Sequence, residues 1–288
     1  MATIDVHQHL WPEQLVEALA RRERPPRLRG STLDVAGEGE REIDPGAYRL
    51  EARLALLDRH EIDVAVVSLS PALGIADLPP DEACELTDAY ERGIVELAAT
   101  ANGRIVPLAA GSRHDGFAGA CVEASRLADL DGLAPLLDEL ERRGTFLFVH
   151  PGASRSRPGA PDWWFAVVEH TGQMQAAYAT WLAEGARRWP DLKIVFAMLA
   201  GGGPFQLELL RSWGVAGRDV LHENVFFETS SYGRRALELC LTTFGVGQLL
   251  FGTDVPVLDL GQAMDTVRAF GDAVAEALCV RNPARLLS

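Results

Sequence analysis

Short runs of Val, Ile, Leu and Phe recur along the whole chain, separated by stretches whose apolar residues fall three and four positions apart. Apolar runs without strict alternation suit strands that are covered on both faces. They predict strands at Thr3–His9, Ile62–Leu69, Arg104–Ala110, Gly119–Ser125, Thr145–His150, Leu192–Leu199, Asn224–Thr229 and Gln248–Thr253. The spaced patterns predict helices at Arg49–Arg59, Asp81–Ala99, Leu133–Arg142, Gln173–Arg188 and Arg234–Thr243. Eight strands alternating with helices over 288 residues point to a (β/α)8 barrel built as a single domain, residues 1–288. A doubly wound open sheet is the alternative, but no Gly-x-Gly-x-x-Gly sits at a strand-to-helix junction to support it. One connection breaks the rhythm. Residues 11–48 carry an Arg/Pro-rich stretch from Arg21 to Gly30 and then a Gly/Glu-rich one, far beyond ordinary loop length. Such an insertion after the first strand is expected either as a lid or as a solvated segment.

Composition narrows the partners. At 48% hydrophobic and 24% charged residues the chain has ordinary globular character. Its 27 basic and 41 acidic residues leave a net charge of −14, which argues against nucleic acid and anionic membrane surfaces as partners. A local cluster of arginines can still dominate one pocket for a small anionic substrate. Cys84, Cys121, Cys240 and Cys279 form no Cys-x-x-Cys pair, and the chain begins directly on a strand pattern with no leader-like segment. No apolar stretch approaches the roughly 20 residues a spanning helix needs. A cytoplasmic protein is the expectation.

The candidate chemistry lies at strand ends. His7-Gln8-His9 closes the first predicted strand, where period-two geometry turns both imidazoles to one face. His150 ends the fifth strand, before Pro151-Gly152, and Asp254 follows the eighth. A barrel brings these ends around one mouth. Three imidazoles and a carboxylate suit one divalent ion, zinc first, with Mn, Fe or Co as alternatives. Such an ion would lower the pKa of a coordinated water toward neutrality.

His-x-His after the first strand, Phe148-Val149-His150-Pro151-Gly152 after the fifth and Phe251-Gly252-Thr253-Asp254-Val255-Pro256 after the eighth resemble the amidohydrolase superfamily. The similarity is to its amidohydrolase-2 group, the branch that includes aminocarboxymuconate-semialdehyde decarboxylase and related aromatic-acid decarboxylases. It extends through Pro190–Phe196 and the Gly201-Gly202-Gly203-Pro204 loop. The resemblance implies a distorted TIM barrel with a mononuclear metal, His7, His9, His150 and Asp254 as ligands, and Asp254 as the group that shuttles a proton. The sequence also departs from the group's pattern. Phe196-Ala197 is usually followed by a histidine that bonds the metal water or substrate, and here Met198 follows. A thioether cannot take a proton at neutral pH and is a poor zinc ligand. Asp254 could serve as base instead, and His170, His222 and Glu228 are further candidates.

Arg155 and Arg157, in the loop after His150, are expected to clamp a substrate carboxylate, with Glu228 at the end of the seventh strand facing the pocket. Arg27 and Arg29 are lid candidates, and Trp163-Trp164-Phe165 could wall the pocket or anchor a helix. The leading expectation is a metal-dependent hydrolase acting on an amide, lactone or related carbonyl of a small carboxylated substrate. The alternative is a non-oxidative decarboxylase of a small aromatic or unsaturated acid. A reading of another class, prompted by Met198, is a non-catalytic relative that binds metal and metabolite. The resemblance makes a homodimer plausible.

Overall fold

The computed structural model describes residues 2–111, 115–155, 159–161, 163–215 and 222–288. Eight parallel strands follow one another around the molecule: β1 (Ile4–His9), β5 (Val64–Ser68), β6 (Ile105–Pro107), β7 (Gly119–Glu123), β8 (Phe146–His150), β9 (Lys193–Phe196), β10 (Val225–Glu228) and β11 (Leu249–Leu250). The ladders form two sheets, β1-β5-β6 and β7-β8-β9-β10-β11. Backbone bonds cross both seams. Between β6 and β7, Cys121 N donates to Ala109 O at 2.8 Å. Between the last strand and β1, Val6 N reaches Phe251 O at 3.0 Å and Asp254 N reaches His7 O at 2.8 Å. The result is a distorted (β/α)8 barrel. Its strands are buried on both faces, which is why they read as unbroken apolar runs. Phe146, Phe148, Phe196, Phe226, Phe227 and Phe251 fill the core.

The helices that matter to the site are α1 (Glu13–Arg21), α2 (Leu50–Arg59), α3 (Pro80–Thr100), α4 (Leu130–Arg143) and α5 (Thr171–Thr180). The predicted helix Gln173–Arg188 is less regular than its pattern suggests. Here α5 is flanked by π-helical turns at Phe165–His170 and Trp181–Gly185.

The insertion is ordered structure. After α1 it forms an antiparallel meander of β2 (Arg27–Arg29), β3 (Thr32–Val35) and β4 (Gly39–Glu42). Leu28, Leu33 and Val35 pack inward, and Arg27 pairs with Asp34 at 2.8 Å on the other face. Trp11 stacks on Tyr48 at 3.9 Å, closing the two ends of the insertion on each other.

The sixth strand is shorter than predicted. Instead of continuing to Leu199 it stops at Phe196, and the chain turns left-handed: φ is 52°, 48° and 52° at Met198, Leu199 and Ala200, then 62° and 85° at Gly201 and Gly202. A left-handed conformation costs a residue with a Cβ roughly 1–2 kcal/mol. Three such residues in succession therefore mark a turn held in place by its surroundings.

Candidate metal centre

Each member of the cluster is delivered by a strand end. His7 and His9 project from β1, all six residues of which are buried, and His150 is the last residue of β8. Asp254 follows β11 in a left-handed conformation, φ 60°. One ligand atom from each of the four lies within 4.8 Å of all the others. The imidazole rings meet edge to face, with centroids 5.0–5.2 Å apart.

The far side of every ring is occupied. His7 Nδ1 lies 2.8 Å from Glu228 Oε2, His9 Nδ1 3.0 Å from the Ser68 carbonyl, and His150 Nδ1 2.8 Å from the Pro151 carbonyl. A carbonyl can only accept, so Nδ1 of His9 and of His150 carries the proton, and Nε2 is left with its lone pair toward the cluster. His9 Nε2 lies 3.0 Å and His7 Nε2 3.5 Å from Asp254 Oδ1. Yet none of these three buried atoms makes an aligned hydrogen bond. Buried polar atoms without partners are rare, and here they converge. That convergence, with a donor set of imidazole nitrogen and carboxylate oxygen, fits a single divalent ion.

The electrostatics agree. Burial works against a charge on His7, but Glu228 and then Asp254 outweigh it and lift its pKa to about 9. Burial, followed by the neighbouring His7 and His9, drives His150 well below the ordinary histidine range. Burial would raise Asp254, but the imidazoles around it bring it down to about 2. Two carboxylates thus make a pocket that favours positive charge, and a divalent cation would compete for it with the His7 proton.

Glu228, expected to face substrate, is completely buried behind His7. Its Oε2 also accepts from Ser230 Oγ at 2.8 Å and from Met198 N at 3.3 Å, while Oε1 accepts from Ser230 N. A methyl group on Gly252 would lie 2.3 Å from Glu228 Oε1, so the glycine makes room for the carboxylate. Met198 is half-buried and touches this arrangement through its backbone N–H, a contact that does not depend on its side chain.

Arg155 is exposed, its backbone N–H bonded to Glu169 at 2.6 Å, and it lines cavities beside Ser154. Arg157 lies outside the described residues. Arg27 is engaged by Asp34 and Glu40 in the meander, and Arg29 is exposed. Trp164 lines a cavity between the meander and the π-turn, whereas Trp163 is 56% exposed. His170 is buried, its Nε2 3.1 Å from Ser154 Oγ, and Ser154 in turn donates to Glu38 of the insertion at 3.2 Å. Burial pushes His170 down to about 4 against the opposing charge of Asp254.

Sequence reasoning missed the polar groups behind the first strand, Asp5, Gln8 and Arg53, all buried. The signal was present: Arg53 falls on the Leu50, Leu54, Leu57 face of an amphipathic helix, where a charge is out of place.

The sequence model of the family described as amidohydrolase matches residues 4–288. The chain belongs to the amidohydrolase family. Among curated relatives, this amidohydrolase is 22% identical to the 2-amino-3-carboxymuconate-6-semialdehyde decarboxylase of Dictyostelium discoideum, over 88% of this chain and 80% of that one. Among solved structures it resembles the 2,6-dihydroxybenzoate decarboxylase of Rhizobium, with a TM-score of 0.75 and 18% identity, covering 100% of this chain and 98% of that one. It also resembles the 5-carboxyvanillate decarboxylase of Novosphingobium aromaticivorans, solved with manganese and 4-hydroxy-3-methoxy-5-nitrobenzoic acid. There the TM-score is 0.73 and the identity 16%, covering 99% of this chain and 96% of that one. These likenesses establish the fold. The protein is an enzyme of the amidohydrolase superfamily, a hydrolase or a carboxy-lyase.

Proposed function

We propose that this amidohydrolase is a metal-dependent carboxy-lyase that releases carbon dioxide from a small aromatic or unsaturated carboxylic acid. The observation that carries the reading is the convergent cluster of His7, His9, His150 and Asp254 in a chain whose curated relative is a decarboxylase. This reverses the order of the sequence-based expectations. Met198 departs from the histidine usual in the group, but the fold neighbours named above are decarboxylases.

The four cluster residues would hold one divalent ion, zinc or manganese. When bound, that ion supplies a positive charge that anchors substrate oxygens and stabilises negative charge developing on them. The rest falls to the chain. Loss of carbon dioxide breaks one C–C bond, leaves its electron pair on the substrate carbon and requires a proton there. Asp254, the cluster member with some side-chain exposure, is the group we assign to carry that proton. A cavity of about 400 Å³ begins one residue beyond Ser68, the residue that holds His9, and is lined by Leu69, Pro71, Ile75, Val122, Glu123 and Arg126. A second, of about 450 Å³, shares Glu123 and adds Ser154 and Arg155. The mainly apolar lining of the first cavity suits a single-ring acid, and Arg126 and Arg155 are the cations that would meet its carboxylate. The insertion acts as a lid in this reading, its Glu38 accepting a hydrogen bond from Ser154 in the loop that follows His150.

Hydrolysis is the second reading, since the same ion and Asp254 suit water attack on a carbonyl carbon. The two separate by product. Metal-loaded protein offered hydroxybenzoates and unsaturated dicarboxylates should release carbon dioxide and leave amides and lactones intact. Turnover of amides or lactones alone would reverse the assignment.

A further inference from the structure

Behind the cluster runs a polar chain that neither the family nor the proposed chemistry assigns. Arg53 of α2 is fully buried. Its Nη1 donates to Gln8 Oε1 at 2.6 Å, and its Nη2 to the His9 carbonyl at 2.8 Å and the Ala47 carbonyl at 3.4 Å. Gln8 Nε2 donates onward to Asp5 Oδ2 at 2.6 Å. That oxygen also accepts from Thr253 Oγ1 at 2.6 Å, and Asp5 Oδ1 accepts from His7 N at 3.0 Å. Thr253 Oγ1 accepts in turn from Val255 N at 3.4 Å. The chain therefore touches the backbone of His7 and His9 and both residues flanking Asp254.

Its place is informative. The pairing of β1 with β5 shifts register between Asp5 and Gln8, so the ladder is irregular at the point of the strand that carries His7. The His7 N–H is held by a side chain, that of Asp5, and the His9 carbonyl by the guanidinium. Burying a guanidinium and a carboxylate is costly, and apolar residues of similar volume often stabilise a core as well or better. Stability alone gives no reason for this arrangement. The strand neighbours bond the His7 carbonyl and the His9 N–H, and the side chains complete the two ligand-bearing positions by holding the His7 N–H and the His9 carbonyl, which gives the arrangement its reason.

We propose that Arg53 is the positioning residue of the metal centre: through Gln8, Asp5 and Thr253 it sets the orientation of His7 and His9 and the register of the Asp254 strand against them. The inference rests on reading the four-residue cluster as a metal centre, and the test separates the two. Wild type, Arg53→Met and Arg53→Lys are prepared metal-free and titrated with Co(II) against a competing chelator, recording affinity and the visible spectrum. A folded Arg53→Met should bind Co(II) 10–100-fold more weakly, the range typical of lost outer support, with a shifted visible band. Arg53→Lys should recover part of both, because one ammonium can reach Gln8 or the His9 carbonyl but lacks the fork that spans them. Wild-type affinity and spectrum in Arg53→Met would overturn the proposal. If that variant does not fold, Thr253→Val breaks the far end of the same chain without stranding a charge; weaker binding with a shifted band supports the proposal, and unchanged binding and spectrum overturn it. Failure of wild type itself to bind Co(II) would refute the metal centre and this inference with it. Tight binding by wild type and variants alike would refute the positioning role alone.

Discussion

At the scale of single residues, the site is a set of atoms aimed by their neighbours. Glu228 is the clearest case, because its carboxylate spends itself on His7, Ser230 and the Met198 backbone. Glu228→Gln should weaken metal binding 10–100-fold in chelator competition while leaving the metal-free fold intact. A variant that binds as wild type would show that His7 needs no support from behind. Gly252→Ala forces a methyl to 2.3 Å from the same carboxylate and should act in the same direction. The cluster residues were legible in the sequence because each ends an apolar strand, where a titratable side chain meets the barrel mouth rather than the packed core. The role of Glu228 was not. An alternating strand fixes which face a side chain takes, but whether that face meets substrate or the back of an imidazole depends on how far β1 and β10 lean together.

At the scale of elements, the turn after β9 and the junction of the insertion with the π-turn carry the departures from simple pattern. Gly201 has φ 62°, and a Cβ there would lie 2.3 Å from the Thr171 carbonyl. Gly201→Ala should therefore destabilise the protein by more than ~1 kcal/mol in denaturant unfolding. His170 gives a pH signature. Burial holds its folded pKa at about 4, below the 6.5 of a free histidine, so between those values the unfolded chain binds a proton that the native state does not. Stability therefore falls with acidification across that window, by up to about 1.4 kcal/mol per pH unit. Thermal melts of His170→Gln should show a shallower loss over the same range. An identical slope would mean His170 is not held neutral. The β2–β3–β4 meander was hidden for a physical reason. Strands of three or four residues each are too short for a period to declare itself, and the Arg, Gly, Ser, Thr and Asp between Leu28, Leu33 and Val35 look like solvated loop. The left-handed turn was equally hidden, since Met198-Leu199-Ala200 continues an apolar run and only the packing around it forces the chain aside.

At the scale of the whole molecule, the barrel was legible because parallel strands buried on both faces must be apolar throughout, and that pattern returns eight times. Among the described residues no helix is long and apolar enough to cross a membrane. Two sheets joined at two seams bring β1, β8 and the end of β11 together, so the four cluster residues come from distant parts of the chain and metal binding at them would be coupled to global folding. Metal at 100 times its dissociation constant should stabilise the native state by about 2.7 kcal/mol, read as a rise in melting temperature reversed by a chelator. The most direct test of the central claim is elemental analysis of reconstituted wild type beside a His7→Ala/His9→Ala variant. About one zinc or manganese ion per wild-type chain, absent from the variant, is the predicted result. Wild-type protein that retains no metal after reconstitution, or a variant that retains it equally, would contradict a metal centre built on these four residues.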